Sequence, residues 1–185
     1  MPETLKLGLK LLIITVVATF ALALTQMVTE EPIRVQAEKA ANEARSEVLE
    51  GADEFTPVDI PDGTYPNVLE VHKGLMNGET RGYTIKTSSK GYGGDLIVIV
   101  GIDANGTISG VRITQHSETP GLGAKAQEPA FYEQFSGKSA GSELRLGDAG
   151  IAAISGATIS SRAVTAAVNY AIEFYNAELA AGGGN

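Results

Sequence analysis

The chain opens on an apolar block and then changes character. Leu11 to Val28 (LLIITVVATFALALTQMV) runs for 18 residues without a charge, about 27 Å of α-helix at ~1.5 Å per residue. That nearly matches a hydrocarbon core of ~30 Å, and Leu5 to Leu9 can lengthen it if Lys6 and Lys10 snorkel. A small soluble domain could hardly bury every face of such a helix. The rival is a cleaved signal peptide, for which Lys6 and Lys10 would be the charged start, but no clear cleavage site follows. The block therefore reads as an uncleaved transmembrane anchor. After Pro32, Ile33 to Leu49 (IRVQAEKAANEARSEVL) is rich in helix formers and has a weak face of small apolar residues. It predicts a stalk helix, which Gly51 and the Pro57, Pro61, Pro66 cluster end.

Four strands are predicted beyond the prolines: Val68–His72, Gly82–Thr87, Leu96–Ile102 and Thr107–Thr114. Asp103-Ala104-Asn105-Gly106 joins the last two, and Asn-Gly readily takes the positive φ of a hairpin turn. Leu96 to Ile102 (LIVIVGI) is apolar on both alternations, so a central strand covered on both faces is expected. Pro129–Phe135 suits a short helix with proline in its first turn. From Ser161 to Leu179, apolar residues recur at Val164, Ala167, Val168, Ala171, Ile172 and Tyr175, an amphipathic helix for packing on a sheet. The expected architecture is α+β, a mainly antiparallel sheet flanked by helices and preceded by one N-terminal transmembrane helix. The expected divisions are an N-terminal flank (1–10), the transmembrane helix (11–28), stalk and linker (29–66), the domain (67–180) and a disordered tail (181–185).

Charge orients the anchor. Lys6 and Lys10 precede it and Glu30 and Glu31 follow, so the N-terminus is expected in the cytoplasm and the domain outside. Removing Lys6, Lys10 and Glu3 from the 14 basic and 22 acidic residues leaves 12 and 21, a charge of −9 on the exported part. Such a surface argues against nucleic acid as a partner. With no cysteine and two histidines, the chain has no disulfide framework, thiolate metal site or cysteine nucleophile, and no metal site is expected.

Three segments carry candidate chemistry. Ile154-Ser155-Gly156-Ala157-Thr158-Ile159-Ser160-Ser161 opens the final helix, where free backbone N–H groups and the positive dipole end suit a phosphate. The plainer reading, and the one the residues alone favour, is an ordinary helix cap, in which Ser155, Thr158, Ser160 or Ser161 satisfies free N–H groups. His116 to Lys125 (HSETPGLGAK) follows a strand, and its Pro120-Gly121 and Gly123 allow close backbone approach by a flat ligand, with Glu118, Thr119 and Lys125 around it. Lys90 to Asp95 (KGYGGD) brings three glycines and Tyr92 to the start of the apolar strand, without the spacing of a dinucleotide or P-loop fingerprint.

Together, GYGG, HSETPGLG and SGAT behind one N-terminal span resemble the covalent-FMN domain of the G subunit of Rnf (Rsx) electron-transport complexes. They are similar, less closely, to the C subunit of the sodium-pumping NADH:quinone reductase. The resemblance covers essentially the whole chain. It implies that residues 67–180 form an FMN-binding domain and that Thr158 carries FMN through a phosphoester, placed there by a flavin transferase. Ser155, Gly156 and Ala157 would complete the attachment motif. Glu118, Thr119, Pro120, Gly121, Leu122, Gly123, Lys125, Tyr92 and Gly93 would lie near the flavin. One departure is Ala152, where the family commonly has an acid three residues before the serine.

On this reading the chain relays electrons in an ion-translocating complex, with other membrane subunits, the transferase and membrane lipid as partners. It needs no catalytic base or nucleophile of its own. The alternatives are a component like the quinone-reductase C subunit, a stand-alone exported flavodomain, or a non-redox envelope binding module.

Overall fold

A computed structural model describes residues 2–147 and 150–180; the expected tail at 181–185 lies outside the described residues. The chain divides into two compact units between Ala40 and Ala41. Helix α1 (Glu3–Val48) runs uninterrupted through Pro32, although proline leaves one carbonyl without its helical donor. Its N-terminal part is long and apolar enough to cross a membrane. Within the first unit, Leu11, Phe20, Leu22 and Met27 expose most of their side chains.

The second unit is a five-stranded antiparallel meander in the order β1-β2-β3-β4-β5: β1 (Glu54–Pro57), β2 (Val68–Met76), β3 (Glu79–Lys90), β4 (Asp95–Asp103) and β5 (Ile108–Gln115). Strand β1 lies in the segment expected to be linker. Pro57 fits there because β1 is an edge strand. Strands β2 and β3 meet at Asn77-Gly78, with Met76 opposite Glu79. Both turn residues have positive φ, 53° and 83°, the geometry of a two-residue hairpin. The Asp103 carboxylate fixes the β4–β5 turn by accepting from the N–H groups of Asn105 (2.9 Å) and Thr107 (2.8 Å).

Strand β4 is second from the sheet edge rather than central, yet both its faces are covered. Leu96, Val98, Val100 and Ile102 face the main core with Val164, Ala167, Val168 and Ala171 of α3 (Thr158–Phe174). On the opposite face, Ile99 is buried with Ala41, Ala44 and Val48. The small residues read as a weak stalk face are thus a close-packing face. Ala41, Ala44 and Val48 follow a three-and-four spacing, and the sheet meets them with glycines at Gly101 and Gly110, which are register partners. A Cβ on Gly110 would lie 3.0 Å from the Cα of Val48.

Short helical turns complete the domain: a 3-10 turn at Gly123–Gln127, α2 (Pro129–Tyr132), a second 3-10 turn at Glu133–Phe135, and a π-helical turn at Tyr175–Leu179 after α3. Thr87 ties sheet to helix by donating to the Ala167 carbonyl at 3.0 Å.

An ionic cluster joins α1 to the sheet. Glu70 pairs with Arg45 and, at 2.6 Å, with Lys86. Burial pushes the Glu70 carboxyl up, but the Lys86 hydrogen bond and the Lys86 and Arg45 charges together hold it below its usual 4.5. Beside it, burial and then the Arg45 charge lower His72 below 6.5 against the opposing pull of Glu70, with Lys86 also lowering it. Among the described residues, Nδ1 of His72 is buried without a hydrogen-bond partner. The unfolded chain therefore takes up a proton near 6.5 that the fold resists, so stability falls as pH drops below that value. Glu70 adds a further loss below 4.5. Melting temperature is expected to fall between pH 7 and 5, and His72→Gln to flatten that slope. Equal slopes in calorimetry would refute the assignment to His72.

Candidate functional site

Thr119–Leu122 forms a β-turn closed by the Leu122 N–H on the Thr119 carbonyl at 3.1 Å. Pro120 occupies its second position and Gly121, at φ 76°, its third, the residues a type II turn favours there. Ile154–Ala157 makes a second turn, closed at 3.0 Å, in which Gly156 also takes φ 76°. That turn delivers the chain into α3 with Ala157 at the N-cap and no side-chain cap hydrogen bond.

The cap reading of the hydroxyls therefore does not hold. Ser161 Oγ instead accepts from the Ile154 N–H and donates to the Ala157 carbonyl, each at 2.9 Å. Ser160 Oγ donates to Glu118 at 2.6 Å. Among the described residues the Thr158 hydroxyl makes no hydrogen bond, and its side chain is exposed. The first turn of α3 keeps its unfilled N–H groups and its positive end.

These segments line an open cleft of about 610 Å³. Tyr92 comes from the loop between β3 and β4, and Glu118, Thr119, Leu122 and Gly123 from the turn after β5. Gly156, Ala157, Thr158, Ile159 and Ser160 come from the start of α3. Three apolar side chains stand open on it: Tyr92 is 71% exposed, Leu122 46% and Ile159 52%. Their unsatisfied apolar area suits the faces of a planar ring. Thr158 also borders a second cavity, with Arg145 and Arg162 in its wall. Arg145 holds Glu143 at 3.5 Å, whereas Arg162, one turn on from Thr158, has no ion pair among the described residues.

Not every expected residue lines the main cavity. Gly93 stands behind its wall, its N–H donating to Glu118 at 3.2 Å. Pro120 and Gly121 shape the turn, and a Cβ at Gly121 would meet nothing within 4 Å. Ser155 sits in the turn before α3. Lys125 lines a separate, smaller hollow with Phe131 and Ala152. There the Gln134 side chain holds Ala152, accepting from its N–H at 2.8 Å and donating to its carbonyl at 3.3 Å. Ile159 and Ser160 were not among the expected site residues. Their place next to Thr158 in the sequence was the available signal, but helical phase, which sends Ile159 out and Ser160 in, needed the helix start to be known.

A cavity of this size, with apolar side chains on its wall and uncapped helical N–H groups beside the Thr158 hydroxyl, fits a flat ring that bears a phosphate. Comparison with known proteins agrees on the class: residues 91–173 match the FMN-binding domain family. The fold is shared with the C subunit of the Na(+)-translocating NADH-quinone reductase from Parabacteroides distasonis, at a TM-score of 0.57 and 20% identity over 79% of this chain and 96% of that one.

Full-length relatives are more specific. The G subunit of the Na(+)-translocating ferredoxin:NAD(+) oxidoreductase complex of Acetobacterium woodii is 43% identical, over 92% of this chain and 90% of the relative. The G subunit of the ion-translocating oxidoreductase complex of Methanosarcina acetivorans is 35% identical, over 95% and 96%. The chain belongs to the family of G subunits of ion-translocating oxidoreductase complexes.

Proposed function

We propose that this chain is the membrane-anchored flavoprotein subunit of an ion-translocating electron-transport complex, relaying electrons through FMN joined to Thr158. The observation that carries the reading is the uncommitted Thr158 hydroxyl at the uncapped start of α3, on the edge of a 610 Å³ cavity with apolar walls. FMN, when bound, supplies one- and two-electron redox chemistry. The chain's own residues hold and shield it. Tyr92, Leu122 and Ile159 offer apolar surface to the ring, the α3 N–H groups stabilise the phosphate charge, and Arg162, which has no ion pair among the described residues, brings a cation to the face of Thr158.

Attachment forms a bond from Thr158 Oγ to phosphorus and displaces the threonine proton. A flavin transferase supplies the FMN half of FAD, and AMP departs with the cleaved pyrophosphate bond. A permanent link keeps the cofactor on a side of the membrane where lost FMN would not be recaptured. That side is outside the cytoplasm, because Lys6 and Lys10 precede the apolar segment and Glu30 and Glu31 follow it. Other subunits of the complex and membrane lipid are its partners.

The test is the mass of the denatured full-length chain from cells that contain a flavin transferase. Expected is a gain of FMN less water and a yellow chromophore that survives denaturation. An unmodified mass from such cells would refute the reading.

A further inference from the structure

We infer that Glu118 is the positioning residue of this cavity, and that its uncompensated charge holds the potential of a flavin there low; the inference rests on the flavin reading above. Glu118 is 5% exposed, and among the described residues no cation pairs with it. A carboxylate out of water is costly unless donors surround it. Here three do. Oε1 accepts from the N–H of Tyr92 at 2.8 Å and of Gly93 at 3.2 Å, and Oε2 from the Ser160 hydroxyl at 2.6 Å.

The donors come from separate parts of the chain. Tyr92 and Gly93 belong to the β3–β4 loop, Ser160 to the first turn of α3, and Glu118 itself to the segment leaving β5. Each contributes to the wall of the same cavity, so one side chain sets the spacing of all three. Its backbone N–H is in turn held by His116 Nδ1 at 3.1 Å. The glycines around it make room: a Cβ on Gly91 would collide with Oε1, and one on Gly123 with both Oε2 and Ser160 Oγ.

The contacts use the carboxylate only as an acceptor, the pattern of its ionised form. In a water-poor wall a unit negative charge acts over several ångströms more strongly than in solvent. Placed beside a redox group that gains negative charge on reduction, it disfavours the reduced form and lowers the potential. Ser160, two residues on from Thr158, thereby couples the attachment helix to the same charge.

Glu118→Gln separates charge from shape, because an amide still accepts at Oε1 and presents N–H groups to a Ser160 hydroxyl turned to accept. The experiment uses the full-length chain made with a flavin transferase, read by mass, melting temperature and potentiometric titration of the flavin absorbance. Expected for Glu118→Gln are covalent flavin, a melting temperature close to that of the unsubstituted chain, and a midpoint potential moved upward. Expected for Glu118→Ala are a lower melting temperature and a reduced flavinylated fraction, as the three wall segments lose their tie.

An unchanged potential in Glu118→Gln would overturn the electrostatic role. Loss of flavin from that variant at an unchanged melting temperature would overturn it too, since the charge would then serve attachment. A Glu118→Ala chain that melts and loads normally would overturn the positioning role. Should the unsubstituted chain itself carry no flavin, the site reading fails separately. The melting of unloaded Glu118→Ala would still decide the brace, an unchanged value overturning it.

Discussion

The Thr158→Ala chain, produced beside a flavin transferase, is expected at its unmodified mass and without a yellow chromophore after denaturation. The loss should be complete, because no other hydroxyl of the helix itself is free to stand in, and Thr119, which also lines the cavity, belongs to the turn after β5 and not to the helix start. Ser160 is buried and committed to Glu118. Ser161 is buried and joined to Ile154 and Ala157. Ser155 is exposed but sits before the helix, away from its first N–H groups. Folding should hardly change. Thr158 is the first helical residue, its N-cap is Ala157, and no side-chain cap bond is lost; a surface substitution of this kind stays within ~0.5 kcal/mol. Thr158→Ser keeps the hydroxyl and should keep attachment. A Thr158→Ala chain that still gains the mass of FMN would place the acceptor elsewhere and sink the assignment.

Much of this domain was legible because its patterns were strong. Alternation placed four strands, Leu96 to Ile102 announced two covered faces, and the three-and-four spacing after Ser161 named the helix that covers one of them. What escaped depended on partners distant in sequence. Glu54–Pro57 is four residues long, lies among prolines, and becomes a strand by pairing with β2. The Asn77-Gly78 turn carried as clear a signal as Asn105-Gly106, and lengthening its flanking strands to Met76 and Glu79 would have revealed it. Ala41 and Ala44 looked weakly apolar on their own. Their meaning lies in the opposing glycines, which no reading of the helix alone discloses. The site divides the same way. The SGAT and ETPGLG segments marked its two main walls, but the carboxylate bridge from Glu118 to Ser160 joins residues 42 apart and required the fold.

Those glycines set the largest expected effect on stability. Gly101→Ala adds a single methyl group where a Cβ would collide with the Val48 carbonyl oxygen and lie 2.7 Å from its carbon. Neither side can yield easily. Gly101 sits within the β3–β4–β5 ladder, opposite Thr84 and Gly110. The Val48 carbonyl also accepts from the Ser109 hydroxyl, so displacing the last turn of α1 breaks that bond and opens the Ala41, Ala44, Ile99 cluster. Overpacking usually costs ~1–3 kcal/mol, and a backbone obstacle places this case near the top, about 3 kcal/mol or roughly 10 °C in a domain of this size. Gly141→Ala is the control, because the nearest obstacle to its Cβ is the Ser139 hydroxyl at 3.2 Å, a side-chain atom that can shift at the cost of no more than the exposed hydrogen bond it accepts from the Gly141 N–H. Thermal denaturation should separate the two clearly. If Gly101→Ala melts with the control, residues 41–48 do not pack on the sheet in solution, and the domain begins after α1 rather than inside it.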